Sequence, residues 1–589
     1  MGLAIRLLGT PSVECDGRAK PAPRGHKVWA LLAYLACDGP ASRTRLAGLL
    51  FEDAEDPLGT LRWNLSELRR LLGDDGLRGD TLSLPPGVQV DAQRILSGSD
   101  LQAVPGLERE LLEGMSFASS PAFEVWLGAT RRRLQAAAEA LLHEAALARL
   151  AAAAPGQAAE LAARLVALNP LDEDFQALLV RSLATAGDGV GAARHAAACR
   201  ELFRRELGVA PGAALEAALR TSTARPTAPA ATGRTATLAQ LEAGEAAIAA
   251  GALEAGLQCL RSAIAEADAT RDDVLRMRSR IALGTALVHA ARGRDEEGAT
   301  ALHEALAVAP AASPTLAAAA GRELGYVEFL RGRYERAQVW LRRAGSLAGD
   351  DRAEHALIAT VLGSTLSDTA HYGAALDALQ QAERHAGDER QRCYALAMHG
   401  RIGLLRGDLD AAREMLDRSV AMARQGWTAF VPWPLSLRAE IDLLRGDVDA
   451  AAERFEHAFA LGCQIGDPCW EGLAGRGLGC VAAVRGQTGR AVELLLDALA
   501  RSARLPDAYV WGRAHVLEAL CALAVREALP QAPTWVAELQ AVAARCGMRE
   551  LLARAHLHGA ALGDAGSGSA ARLLVETIDN PLLRRLACA

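Results

Sequence analysis

The sequence predicts a mainly α-helical chain, with small β-hairpins confined to its first hundred residues and a long run of repeated helix pairs behind them. Three observations carry this. Residues 57–73 place Leu58, Leu61, Leu65, Leu68 and Leu72 at steps of three and four, one apolar stripe of a helix. Short alternating stretches before and after that helix have the period of strands. From residue 238 onward a glycine-led turn recurs every 37–42 residues, the mark of a stacked repeat array.

The first 98 residues give the elements in order. Leu3 to Leu8 alternates, Gly9-Thr10-Pro11 breaks the run, and Ser12 to Cys15 resumes it before Asp16-Gly17, which reads as an antiparallel hairpin. Residues 28–36 (VWALLAYLA) form a buried helix that stops at Asp38-Gly39-Pro40. Residues 42–50 are a second helix with Ser42 at its cap. An acidic loop follows, with Glu52, Asp53, Glu55 and Asp56. The third helix starts with Asp56 at the N-cap and Pro57 at the first position, where its missing N–H costs nothing, and stops at Gly73. Opposite its leucines lie Gly59, Thr60, Trp63, Ser66, Glu67 and Arg70, with Arg62 and Arg69 on one flank and Asn64 on the other. Such a front has the donors needed for base edges and phosphates in a major groove. Residues 77–91 read as two short strands around Pro85-Pro86-Gly87. Hairpin, three helices and hairpin make the order of a winged helix-turn-helix.

The motifs ALLAYLA, SRTRLAGLLFED, LRWNLSELRRLLGDD and VQVD resemble the OmpR/PhoB-type DNA-binding domain in the version carried by Streptomyces antibiotic regulatory proteins (SARP-type activators). The resemblance rests on Leu61-Arg62, Leu65-Ser66 and Leu68-Arg69-Arg70, followed by Leu72-Gly73. It implies that the third helix is the recognition helix, that Glu52, Asp53, Glu55 and Asp56 form a loop contacting RNA polymerase, and that the second hairpin is the wing. Thr60, Arg62, Trp63, Asn64, Ser66, Arg69 and Arg70 are the expected DNA-binding residues. By position on the helix, Thr60, Ser66 and Arg70 face bases, and Arg62 and Arg69 face phosphates. One departure stands out. Residues 1–98 hold twelve Lys/Arg and twelve Asp/Glu, so the domain is neutral. Non-specific affinity comes from phosphate neutralisation, so one copy is expected to bind weakly and a homodimer on promoter repeats to bind well.

Residues 99–220 resemble the bacterial transcriptional activator domain that follows this module in the same family, through LLEGMSF, Leu168-Asn169-Pro170 and the closing ELFRRELGVAP. The resemblance implies TPR-like helix pairs that support dimerisation. Arg131-Arg132-Arg133 and Arg204-Arg205 read as solvated helix faces. Residues 221–237, rich in Thr, Ala and Pro, read as a linker.

The array spans 238–563. Its turns take the form G-x-x-x-x-A at Gly332–Ala337, Gly407–Ala412, Gly446–Ala451 and Gly486–Ala491, with weaker copies at Gly251, Gly293 and Ala370. Pairs of this kind cannot bury their apolar faces alone and stack into a superhelix. The period exceeds the ~34 residues of a standard TPR. It is similar to the long TPR-like arrays of maltose-activator-type regulators. Residues 564–589 are expected to be a tail or cap.

Composition excludes several classes. Net charge is −7, so the chain is no general polyanion binder. Its two lysines are Lys20 and Lys27, which leaves a P-loop lysine impossible beyond that point. No G-x-S-x-G, H-E-x-x-H or deaminase signature occurs, so no enzyme activity and no cofactor or metal are expected. The eleven cysteines include no C-x-x-C pair, which suits free thiols in a reducing cytoplasm. No apolar run reaches the ~20 residues that span a bilayer, so no membrane partner is expected. The thirteen histidines are dispersed, and His371 and His385 read as surface or packing residues.

One aromatic constellation remains. Trp433, Trp470 and Trp511 recur at 37 and 41 residues, each near the start of a first helix. They read either as inter-repeat packing or as a ladder lining an effector groove for a small molecule or protein. The functional reading is a cytoplasmic transcriptional activator that binds double-stranded DNA and takes an input through its array. The alternative is a TPR scaffold whose neutral N-terminal domain makes protein contacts instead.

Overall fold

The computed structural model describes residues 3–16, 18–72, 77–98, 106–220, 233–308, 311–506 and 509–588. The chain divides into two compact units: residues 1–137, 328–338 and 355–589 form the first, and 138–327 with 339–354 the second. The fold is mainly α, with small strands near the N-terminus and TPR-like helix pairs behind them.

In the first unit, β1 (Leu3–Arg6) pairs antiparallel with β2 (Ser12–Cys15), setting Ile5 opposite Val13. β3 (Arg18–Lys20) adds a third strand that the sequence did not announce. α1 (His26–Cys37) buries every residue from Val28 to Cys37. β4 (Ala41–Ser42) leads into α2 (Arg43–Phe51), whose first turn is capped by Ser42. α3 spans Pro57–Leu72; the expected stop at Gly73 lies outside the described residues.

The expected second hairpin is corrected. β5 (Thr81–Leu82) pairs with β4, while β6 (Gln89–Val90) joins β1 in parallel, giving a sheet ordered β3-β2-β1-β6 and a separate two-stranded ladder. Two prolines between them remove donors and fix the chain extended, so each segment finds its partner elsewhere. Asp91, first residue of α4 (Asp91–Leu96), accepts from the backbone N–H of Leu7 at 2.8 Å and Leu8 at 3.0 Å, locking this arrangement. α5 (Pro121–Ala151) opens the activator-domain region.

The helices of the array pair around the expected turns. Gly251, Gly293, Gly332, Ala370, Gly407, Gly446 and Gly486 all have positive φ, between 58° and 86°. Ala528, at φ 50°, continues the period where no glycine marks it. Nine residues after each of the seven sequence-marked heads stands a buried apolar residue: Leu260, Leu302, Leu341, Leu379, Leu416, Phe455 and Leu495. Five of these leucines, Leu260, Leu302, Leu379, Leu416 and Leu495, face a glycine of the preceding helix. A Cβ on Gly363 would lie 2.6 Å from Leu379 and one on Gly400 2.6 Å from Leu416, so the paired backbones touch. Close approach of this kind explains an alanine-rich, aromatic-poor core. The first array helix begins at Arg234, inside the expected linker; residues 221–232 of that linker lie outside the described residues. The expected tail forms two helices, Ser567–Val575 and Pro581–Cys588.

The first unit closes on itself. Asn580 donates to the Leu405 carbonyl at 3.0 Å and to Glu550 at 2.8 Å, and Arg406 pairs with Asp579 at 3.3 Å. Its centre is filled by polar and aromatic side chains. Arg401 is fully buried and bonds Asp368 at 2.5 Å, Ser367 at 2.7 Å and the Tyr509 hydroxyl at 3.0 Å. Asp368 also accepts from Tyr334 at 3.0 Å.

Each unit carries an acid held by cations, Glu323 buried and Glu440 half-buried. Burial alone would raise Glu323, but Arg322 and His289 outweigh it and hold the carboxyl at about 2. Burial likewise opposes ionisation of Glu440, and Arg476 and His515 hold it at about 2. Both values lie below the ordinary 4.5. Their contribution is therefore complete above pH 4.5 and is lost as pH falls toward 2. Urea titrations at pH 6 and pH 3 are expected to show a clearly lower midpoint at pH 3. Substitution of both acids by glutamine is expected to shrink that difference.

Candidate nucleic-acid interface

α3 is positioned by its apolar back. Leu61, Leu65 and Leu68 are fully buried, whereas Leu58 at the helix start is 48% exposed, so the working stripe is three leucines and not five. The start is fixed as the sequence suggests. The Asp56 carboxylate accepts from the Gly59 N–H at 2.8 Å, and the Asp56 carbonyl from the Thr60 N–H at 2.9 Å.

The seven expected contact residues divide. Arg62, Trp63, Ser66 and Arg70 share an exposed face. The Arg62 and Arg70 side chains are 69% and 68% exposed, and Trp63 is 54% exposed. Arg62 reaches Asp56 at 3.4 Å, and Arg70 pairs with Glu67 at 2.6 Å; surface pairs of this kind hold by under about 1 kcal/mol and are released readily. The other three are corrected. Asn64 is 4% exposed and donates to the Thr60 carbonyl at 2.9 Å, its own helix one turn back. Thr60 is half-buried and donates to the Asp56 carbonyl at 3.0 Å. Arg69 is half-buried and makes two bonds to the Leu77 carbonyl, at 2.8 and 3.3 Å, tying the helix to the segment before β5.

The acidic loop is exposed at Asp53 and Glu55. Asp56 is engaged as the cap. Glu52 accepts from the Ser569 hydroxyl at 3.1 Å, a residue of the C-terminal helices. That docking was not visible in the sequence. Arg45 of α2 likewise bonds the Leu573 carbonyl. α5 adds a second clasp that spacing alone did not reveal. Trp126 donates to Asp38 at 2.8 Å and packs on Tyr34, ring centroids 5.1 Å apart. The expected solvated arginine run is corrected in part. Arg131 bonds the Leu111 carbonyl at 2.9 Å, and Arg133 bonds the Cys37 carbonyl at 2.8 Å and Asp38 at 3.1 Å, leaving Arg132 exposed.

Trp433, Trp470 and Trp511 do meet, but they form no open groove. Trp433 lies 5.3 Å from Trp470 and 6.5 Å from Trp511, ring to ring. Trp433 and Trp511 are each 3% exposed. Arg401 sits 4.1 Å over the Trp511 ring, and His515 stacks beside it at 4.7 Å. The closed coil fills its centre with these rings, so they serve packing between repeats.

Comparison with known proteins adds the following. The family model described as the bacterial transcriptional activator domain matches residues 109–221. No curated protein matches the chain. Among solved structures, the chain is similar to a Rap protein complexed with competence and sporulation factor, at 14% identity, covering 60% of this chain and 98% of that one, TM-score 0.43. It is also similar to a tetratricopeptide repeat protein from Parabacteroides merdae, at 14% identity, 49% and 99% coverage and TM-score 0.33. A third similarity is to Cut9 in the APC/C hetero-tetramer Cut9-Hcn1, at 14% identity, 71% and 96% coverage and TM-score 0.30. The chain thus carries a match to the bacterial transcriptional activator domain followed by a TPR-like array of helix pairs.

Proposed function

We propose that this chain, a carrier of the bacterial transcriptional activator domain, is a DNA-binding activator whose first 98 residues form a winged helix-turn-helix. The observation that carries this is α3: a buried leucine back and a projecting front of Arg62, Trp63, Ser66 and Arg70 beside an activator domain. Arg70 and Ser66 read base edges, Arg62 anchors to phosphate, and Trp63 rests on the sugar-phosphate backbone. Asp53 and Glu55 of the exposed loop offer the acidic surface for RNA polymerase. The protein works in the cytoplasm as a homodimer, because a neutral reading head needs two copies to hold a duplex. The array receives an effector and shifts the DNA-binding arrangement, which requires that the effector bind one arrangement better than the other.

Fluorescence anisotropy with the duplex upstream of its own operon, titrated against salt, tests this. Two arginine–phosphate contacts per dimer, one Arg62 from each copy, give a log–log slope of roughly −2. A flat response, or no binding at low salt, would leave the scaffold reading in its place, which the neutrality of residues 1–98 favours.

A further inference from the structure

A cavity of about 840 Å³ opens in the first unit, where α1 and α2 face α5 and the helix Arg549–Ala561. α5 presents Trp126, Thr130 and Arg133 to it at steps of four and three. The facing helix presents Arg549, Leu552 and His556 at the same kind of spacing. The volume falls in the range of small-molecule sites.

Three guanidinium groups reach this space, which Asp38, Glu335 and Glu576 also line, and among the described residues only Arg133 is ion-paired. Arg133 has Asp38 at 3.1 Å and Glu335 at 3.2 Å. Arg45 donates to the Tyr34 hydroxyl at 2.5 Å and to the Leu573 carbonyl. Arg549 donates to the Thr577 carbonyl at 2.7 Å and its hydroxyl at 2.5 Å. Both sets of partners are neutral. Burial, together with repulsion from Arg45 and Arg133, holds Arg549 below the usual arginine range against the pull of Asp38. A partly buried cation whose hydrogen bonds all go to neutral groups is a costly state, relieved by an anion in contact with it.

A further titratable side chain lines the same space. His556 is 5% exposed, and its Nδ1 is buried without a partner. Burial holds this imidazole down at about 4, so at neutral pH it is uncharged and free to donate or accept one hydrogen bond.

We propose that this cavity binds a small organic anion, its carboxylate or phosphate group held between Arg45 and Arg549 and its body against Trp126 and Leu552. The site deepens the regulator reading and rests on it for its purpose. Arg45 belongs to α2, the helix directly before α3, so an anion bridging the two arginines ties the reading head to the end of the array. Loading the site changes how firmly α2 is held, and with it the freedom of α3.

The test uses the full chain with citrate and inorganic phosphate as probes, each compared with potassium chloride at equal ionic strength. Thermal unfolding is expected to rise with either probe beyond the chloride control. Arg549→Met is expected to weaken probe binding about tenfold or more, the worth of one charge-assisted hydrogen bond, without losing stability in chloride. Arg45→Met, from the opposite wall, is expected to do the same. Their response also subtracts the general stabilisation that phosphate gives any protein. Wild-type and variant chains gaining equally from the probes would overturn the site, as would no gain beyond chloride. Duplex binding is read separately by anisotropy. A chain that binds citrate but no duplex keeps the site and removes the regulator reading; a chain that binds duplex but neither probe does the reverse.

Discussion

Replacing Asp368 by alanine is expected to destabilise the first unit by about 3–5 kcal/mol, the range for stranding one partner of a buried ion pair. Arg401 is fully buried, and Asp368 is its carboxylate. Its other neighbours, Ser367, the Tyr509 hydroxyl and the Trp511 ring, carry no negative charge. Tyr334 and Tyr509 would each lose an acceptor as well, since both hydroxyls donate to Asp368. Arg401→Met is expected to cost less, because it removes the charge that needs balancing and leaves an apolar chain among aromatic rings. Urea titration followed by far-UV circular dichroism measures both. An Asp368→Ala midpoint equal to wild type would mean that water reaches Arg401 and that the centre of the coil is not dry.

The second large effect concerns the duplex. The Arg62→Ala, Arg70→Ala double variant is expected to lose about a hundredfold or more in affinity. A phosphate contact and a base contact vanish in each half-site, and a good base contact alone is worth about 1–3 kcal/mol. Both side chains are exposed and tied only by surface pairs to Asp56 and Glu67, so the fold is expected to survive. The salt slope is expected to become shallower in the same variant, because fewer counterions are released. Arg69→Ala is a poorer probe. Its side chain holds the Leu77 carbonyl, so a loss of binding there would mix recognition with local unfolding.

The legible parts of the fold were those that local chemistry fixes. Glycine at the head of six of the seven sequence-marked array turns adopts φ between 70° and 86°, a conformation other residues reach at a cost, so its recurrence could be read directly. Ala528 makes the same turn without that signature and was passed over. The cap at Asp56 and Pro57 was readable for the same local reason. Side-chain destinations were less so. Asn64 looked like a flank donor, but an amide of that length reaches its own helix carbonyl one turn back. Arg133 looked solvated because its partners, Asp38 and Glu335, are remote in the chain. The tryptophan recurrence correctly signalled that the rings meet, yet periodicity does not say whether a ring faces a space or another ring. That depended on the coil closing, which Asn580 and Leu405 bring about.

The bond between Arg45 and Leu573 joins residues 528 positions apart. At translation rates of about 5–20 residues per second, the helix bearing Arg45 leaves the ribosome roughly half a minute to two minutes before its partner exists. The N-terminal helices are therefore made well before this clasp, which closes only once Leu573 has been synthesised. Contacts of such long reach are slow to form, so the hold on α2 is among the last parts of this fold to be completed.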